Sequence, residues 1–322
     1  MKRLLIALGL WAAVAAAAAP PSAEISNGVL KAKVWLPDPE KGYYQGTRFD
    51  WSGSLASVEY KGHNYFGVWF PKYDPKIHDA ITGPVEEFLS DGKGLGYDEA
   101  KVGENFVKIG VGAIKKPDEP RFTQFKTYDV ADYGKWSVKT GKDYVEFTHV
   151  LGDTNGYAYV YKKTVRLARG KPEMTLEHSL KNTGKKTIAT SVYEHNFYMI
   201  DALPTGPDVV IKFAFEPKPT RDLRGMAEIR GKEFVYLKEL QDRQSVSSFL
   251  EGFGPTAKDY DIREENRKAG AGVRQTSDHP MSKLNFWSIR TTACPEAYID
   301  LKVDPGKETT YRINYEFYTL NQ

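Results

Sequence analysis

The chain is poor in the residues that small exported or metal-binding domains depend on. It has one cysteine, Cys294, so no intramolecular disulfide can form. Its histidines lie at 63, 78, 149, 178, 195 and 279, and none has a partner at zinc-ligand spacing. There is no EF-hand-like acidic loop. The glycines of Gly92 to Gly96 lack the Lys-Ser/Thr ending and the following helix of a phosphate-cradling loop. No metal and no cofactor is therefore expected. Past the N-terminus, no stretch approaches the ~20 apolar residues that a membrane span needs. Charge of one sign is also scarce. The formal net charge is +3, and removing an acid-free leader that holds Lys2 and Arg3 leaves +1. A near-neutral mature chain argues against a nucleic-acid partner, which would normally show as a basic patch or stripe.

Met1 to Ala19 has the form of a signal peptide, with Lys2 and Arg3 before the apolar core Leu4–Val14 and then an alanine run. No cysteine follows that core, which argues against a lipid anchor. The expected destination is the periplasm or the cell exterior, with no membrane association after cleavage. Without disulfides in an oxidising compartment, stability must come from a hydrophobic core, and residues 24–322 suffice to build one. One domain is expected there, since no linker, repeat or low-complexity tail divides it. A monomer is expected.

What the chain has in quantity is aromatic residues, with 20 Tyr, 16 Phe and 6 Trp. In an exported protein these fit either carbohydrate contact or an aromatic β-core. Strand-like alternation starts at Val29–Leu36 and returns at "SLASVEYKG" and Phe66–Phe70. Residues 71–101 are irregular and punctuated by Gly and Pro; loops of that length are usually functional or disordered. From Phe106 to Thr187 short strands follow closely: Val107–Ile114, Phe122–Val130, Trp136–Thr140, Tyr144–Leu151, Tyr157–Leu167 and Met174–Leu180. Gly141-Lys142-Asp143 and Asn182-Thr183-Gly184 look like hairpin connections. Glu233–Leu240 and Asp259–Lys268 read as short helices or loops. Strands resume at Leu284–Thr291, Tyr298–Val303 and Thr309–Leu320. Regular strands without intervening helices predict an all-β, antiparallel sandwich.

The segment "TSVYEHNFYMID", Thr190–Asp201, holds the most suggestive chemistry. Alternation puts Tyr193, His195 and Phe197 on one face, an imidazole between two rings. Flat rings suit the C–H faces of a pyranose, and the imidazole can move a proton near neutral pH. A half-buried strand histidine bonded to a carbonyl is the plainer alternative. Four further stretches concentrate polar and aromatic groups. They are "TRFDWSG" with Arg48 and Asp50, "ITGPVEEF" with Glu86 and Glu87, "TSDHPMSKLNFWS" with Asp278 and Trp287, and "ACPEAYIDLKVDPGKE" with Glu296. Solvated loop carboxylates and core tryptophans are the plainer readings of these. His149 and His178 share faces with apolar residues and read as sheet histidines.

"YEHNFYMID" resembles a strand of the galactose mutarotase-like superfamily, in which a His precedes aromatics and an Asp. "ACPEAYIDLKVDPGKE" is similar to the hexose-6-phosphate mutarotase segment where a Glu closely follows a cysteine. "TSDHPMSKLNFWS" resembles the Thr-Asp-x-Pro stretch before the penultimate strands of those proteins. The resemblance keeps their order along the chain and is best from Lys163 onward. It implies a single antiparallel β-supersandwich with a sugar on its concave face, a mono- or oligosaccharide partner, and aldose 1-epimerase-like isomerisation. By that resemblance His195 and Glu296 would be acid and base; Arg48, Asp50, Glu86, Glu87, Tyr193, Phe197, Asp201, Asp278 and Trp287, taken from the polar and aromatic stretches themselves, are the candidate substrate contacts. Such a pair is expected to face each other across the cleft with a pyranose between, the carboxylate raising the imidazole pKa. One departure stands out: the family's early "HG-x-x-R"-like segment corresponds in order to "ITGPVEEF", with glutamates for His and Arg. Non-catalytic sugar binding and polysaccharide lysis are the competing functions on such a scaffold.

Overall fold

A computed structural model describes residues 19–320; all but the last residue of the expected signal segment lies outside the described residues. Side-chain alternation at period 2 decides where the chain pairs with itself. In Glu173–Asn182, for example, Met174, Leu176, His178, Leu180 and Asn182 point inward while their neighbours face out. Strands of this kind assemble two large sheets. The ten-stranded sheet runs Ala227–Arg230, Glu233–Tyr236, Val209–Phe213, Asp261–Asn266, Ala271–Ser277, Glu308–Thr319, Glu173–Asn182, Tyr157–Leu167, Tyr144–Thr154 and Lys135–Thr140. The six-stranded sheet runs Lys218–Pro219, Ser245–Glu251, Lys283–Ile289, Thr292–Val303, Ile188–His195 and Val85–Leu89. Neighbouring strands in both pair antiparallel.

The inner faces of the two sheets meet. Phe234 packs on Phe286 with ring centroids 4.3 Å apart, and Phe88 meets Tyr161 edge-on at 5.4 Å. One apolar cluster runs between the sheets from Ile25 to Phe317. A second, aromatic cluster (Phe49, Trp51, Trp69, Phe106, Phe197 and their neighbours) lies on the outer face of the six-stranded sheet, under the early loops. Two small sheets complete the fold: Ser22–Ser26, Lys31–Trp35, Leu55–Tyr60 and His63–Asn64; and Asn105–Lys108, Gly112–Lys115 and Val130–Asp132.

Several local expectations are corrected. Asp261–Asn266 and Glu233–Tyr236 are strands, not helices or loops. Glu264 points inward beside Ile262, so a charged-looking sequence hides a buried period-2 face. Phe66–Phe70 is not a strand: Phe66 and Trp69 anchor an irregular segment by burying their rings. Residues 122–129 also form a loop. Val107–Ile114 is broken into a hairpin at Gly110, whose φ of +78° favours glycine. The irregular stretch 71–101 conceals the strand Val85–Leu89, which closes one edge of the six-stranded sheet. Gly83 just before it lies so near Asn196 that a Cβ would fall 1.9 Å from the Asn196 carbonyl oxygen.

Candidate active site

The outer face of the six-stranded sheet carries three cross-strand rows. Glu87 pairs with Tyr193, Tyr193 with Tyr298, and Tyr298 with Lys283. Two residues along, Val85 pairs with His195, and Glu296 with Asn285, which in turn faces Phe249. The register linking Tyr193 to Tyr298 carries on to the Tyr198–Ala293 bridge, which sets His195 opposite Glu296. In the third row Trp287 lies between Cys294 and Ser247. Because the side-chain period is 2, one register choice brings all these groups to one surface. Tyr193, Tyr298, His195, Glu296, Asn285 and Trp287, with Phe249 and Ser247 at their ends of the rows, line a cavity of about 470 Å³, within the ~300–1,000 Å³ typical of small-ligand sites. Early loops supply the rest of its wall: Arg48, Trp69, Asp79, Gln124 and Phe125, with Arg221 at the edge.

The strand Ile188–His195 ends at the imidazole, and Phe197 then takes a left-handed φ of +46°. That conformation is costly for a bulky residue and places the ring under His195. The two rings stack at 3.7 Å and 11°, and Trp69 stacks on the far face of Phe197 at 4.5 Å and 12°. Trp287 stands perpendicular to all three. Phe49 meets the imidazole edge-on at 5.7 Å.

His195 and Glu296 are each 4% exposed, with Nε2 and Oε1 3.4 Å apart. They are not separated by a pyranose, as the sequence led us to expect; they stand side by side on neighbouring strands. The expected rise in the imidazole pKa is also corrected. Burial, with the Arg48 charge adding to it, holds His195 well below its usual range and keeps it neutral. Burial pushes Glu296 up to about 7, against the Asn285 amide, which donates to Oε2 at 3.0 Å, and the Arg48 charge. Near neutrality Glu296 is thus close to the midpoint of its titration while His195 is neutral, so the pair's acidic proton rests on the carboxyl below about pH 7.

Arg48 caps the adjoining wall. Its Nε donates to Glu87 at 2.9 Å, one terminal nitrogen to the Tyr193 hydroxyl at 3.1 Å, and the other to Asp79. Glu87 is fully buried beneath it and also accepts from Tyr193 (2.5 Å), Lys108 (3.2 Å) and Gln124 (2.7 Å). Burial alone would raise this carboxyl, but Lys108 and Arg48 outweigh it and hold it below the usual carboxylate range. Glu87 therefore orients Arg48 and Tyr193 and does not itself line the cavity.

No protein-family model matches the sequence, and no curated protein matches it significantly. Solved structures do. The Slr1438 protein of Synechocystis sp. PCC 6803 superposes with a TM-score of 0.59 at 10% identity, covering 96% of this chain and 100% of that one. A galactose mutarotase related enzyme from Lactobacillus acidophilus gives 0.58 at 11% identity, with 94% and 99% covered. The GalM/aldose epimerase homologue from C. elegans gives 0.58 at 13%, with 94% and 100% covered. The fold is that of the galactose mutarotase-like superfamily. Identities this low fix the galactose mutarotase-like architecture and leave the chemistry to this chain's own side chains.

On this galactose mutarotase-like scaffold, His195, Glu296, Arg48, Tyr193, Phe197 and Trp287 come together around the cavity. Four other candidates do not. Glu86 follows the pleat to the opposite face from Glu87 and is fully buried between the sheets, against Lys163 and His178. Asp50 is buried on Ser52 and Tyr161 (2.5 and 3.0 Å). Asp201 lies in a 3₁₀ turn and binds His63 and the Asn64 amide. Asp278 sits at the surface beside His279 and accepts from the Arg312 amide. Each of these carboxylates serves a local turn or the core. Tyr298 and Asn285 were missed although alternation from Glu296 and Trp287 marks their faces. Trp69, Asp79 and Gln124 come from loops and carried no such signal.

Between the sheets, Glu86, His178 and Glu194 bring potential ligand atoms within 4.8 Å of one another. A histidine with two carboxylates is a donor set for a divalent transition ion. Here the buried Lys163 ammonium already lies against Glu86 and supplies the positive charge, so the cluster fits an internal ion network better than a metal. Burial and the neighbouring Glu86 push Glu194 well up, so its carboxyl stays neutral.

Proposed function

We propose that this protein is an exported aldose 1-epimerase-like isomerase that interconverts the anomers of a sugar, with His195 and Glu296 as base and acid. The carrying observation is the juxtaposition of those two side chains, an imidazole held neutral beside a carboxyl pushed up to about 7, in an aromatic-walled cavity. The anomeric hydroxyl oxygen and the ring oxygen are bonded to the same carbon. An acid and a base that stand close together, as these two do, can therefore serve both. Neutral His195 takes the proton of the anomeric hydroxyl while the Glu296 carboxyl protonates the ring oxygen, and the C1–O5 bond opens. The aldehyde rotates, and ring closure on the other face returns both protons. Trp287 offers apolar surface to the ring, Phe197 and Trp69 hold the imidazole in place by stacking beneath it, and Asn285 fixes the carboxyl. The leader-like N-terminus supports export.

Lysis of uronate chains is disfavoured, because all three Arg48 guanidinium nitrogens are already engaged by Glu87, Asp79 and Tyr193. Polarimetry of freshly dissolved aldoses tests the reading. Wild type should accelerate mutarotation of at least one common aldose, and His195→Asn and Glu296→Gln should each lose the ~10²–10⁴-fold expected of a deleted acid or base. Sugar binding with rates equal to buffer would instead make this a binding protein.

A further inference from the structure

A second groove adjoins the cavity. It measures about 770 Å³ and is lined by Val68, Trp69, Phe70, Trp287, Ile289 and the turn around Asp242. Trp69 and Trp287 border both spaces, with ring centroids 5.7 Å apart, so the two are one cleft divided by a pair of indoles. The cleft runs along the strands: Tyr298 and Tyr193 at one end, His195 and Glu296 next, then Trp287, then the groove. Its chemistry is two-sided. Indole, phenyl and aliphatic surface forms one wall. The other carries Gln241, Asp242, Arg243 and Gln244, an amide, carboxylate and guanidinium set that suits vicinal hydroxyls. Together the spaces far exceed what one pyranose occupies.

We propose that this groove holds the second residue of a reducing oligosaccharide whose reducing-end ring sits at His195 and Glu296. This rests on the mutarotase reading for the placement of the first ring. Shared indoles let a glycosidic bond pass from one space to the other without leaving aromatic contact, and the free anomeric hydroxyl of the first ring remains at the acid–base pair.

Calorimetric titration of the full mature chain tests it, with glucose against maltose, cellobiose and lactose, and galactose against galactobiose. Val68 is 56% exposed, so Val68→Arg blocks the groove without disturbing the core, and Asp242→Ala removes a polar contact. At least one disaccharide should bind roughly 10-fold or more tightly than its reducing-end monosaccharide. Val68→Arg should abolish that gain and Asp242→Ala reduce it, with monosaccharide affinity unchanged in both. Monosaccharide binding with no disaccharide gain, or a gain that survives Val68→Arg, overturns the groove alone. If sugars of neither length bind, both the groove and the mutarotase reading fall.

Discussion

Glu296 owes its character to a contest that burial wins. The Asn285 amide and the charges of Arg48 and Lys283 favour its carboxylate, yet its pKa rises from the ordinary 4.5 to about 7. That rise is also a statement about stability. Between these values the unfolded chain has released the proton and the folded chain still binds it, so stability falls as pH rises through the window. One such group accounts for a loss on the order of 3 kcal/mol between about pH 4.5 and 7. Glu296→Gln, which mimics the protonated form, should lose less by about that amount. Urea midpoints at pH 5 and pH 8 measure this. Asp50, also raised by burial to about 7, and Glu194 and Glu264, which burial pushes well up, should leave a residual slope common to both proteins. An equal decline in both proteins would show that Glu296 titrates normally.

At the scale of the element, Val85–Leu89 shows what a strand does to adjacent residues of like charge. Glu86 and Glu87 look equivalent in sequence, but the pleat sends one between the sheets and the other under Arg48. Both alanine variants strand buried cations, Lys163 in one case and Arg48 with Lys108 in the other. Breaking a buried pair in this way costs about 3–5 kcal/mol, so both should lower the melting temperature well below wild type. Only Glu87→Ala should also weaken sugar affinity per folded molecule, since it frees Arg48 and Tyr193 at the cavity wall. Equal sugar affinities in the two variants would place Glu87 outside the site's support. The same strand shows why sequence reading fell short here. Its side chains are buried on both faces, so no alternation of polar and apolar residues distinguishes it from the loops around it. Ile188–His195 was legible because its face repeats Tyr193, His195, Phe197, and Thr292–Val303 because Glu296 lies two residues from Tyr298. Pairing begins at Thr292 rather than Tyr298, so Glu296 lies inside that strand.

For the whole molecule, strand spacing and the absence of helical periodicity were enough to reach an antiparallel sandwich. The split into ten- and six-stranded sheets was not legible, because pairing between residues more than a hundred positions apart leaves no local trace. The loop contributions of Trp69, Asp79 and Gln124 stayed hidden for the same reason. What unites these parts is a neutral imidazole and a raised carboxyl set side by side by cross-strand register. The most direct test is the pH dependence of kcat/KM for anomer interconversion, followed by polarimetry from pH 5 to 9. The expected profile is flat through the acid range, since His195 is held neutral, and falls above about pH 7 as Glu296 loses its proton. A rate that rises through pH 7, or one no faster than buffer at any pH, would contradict it.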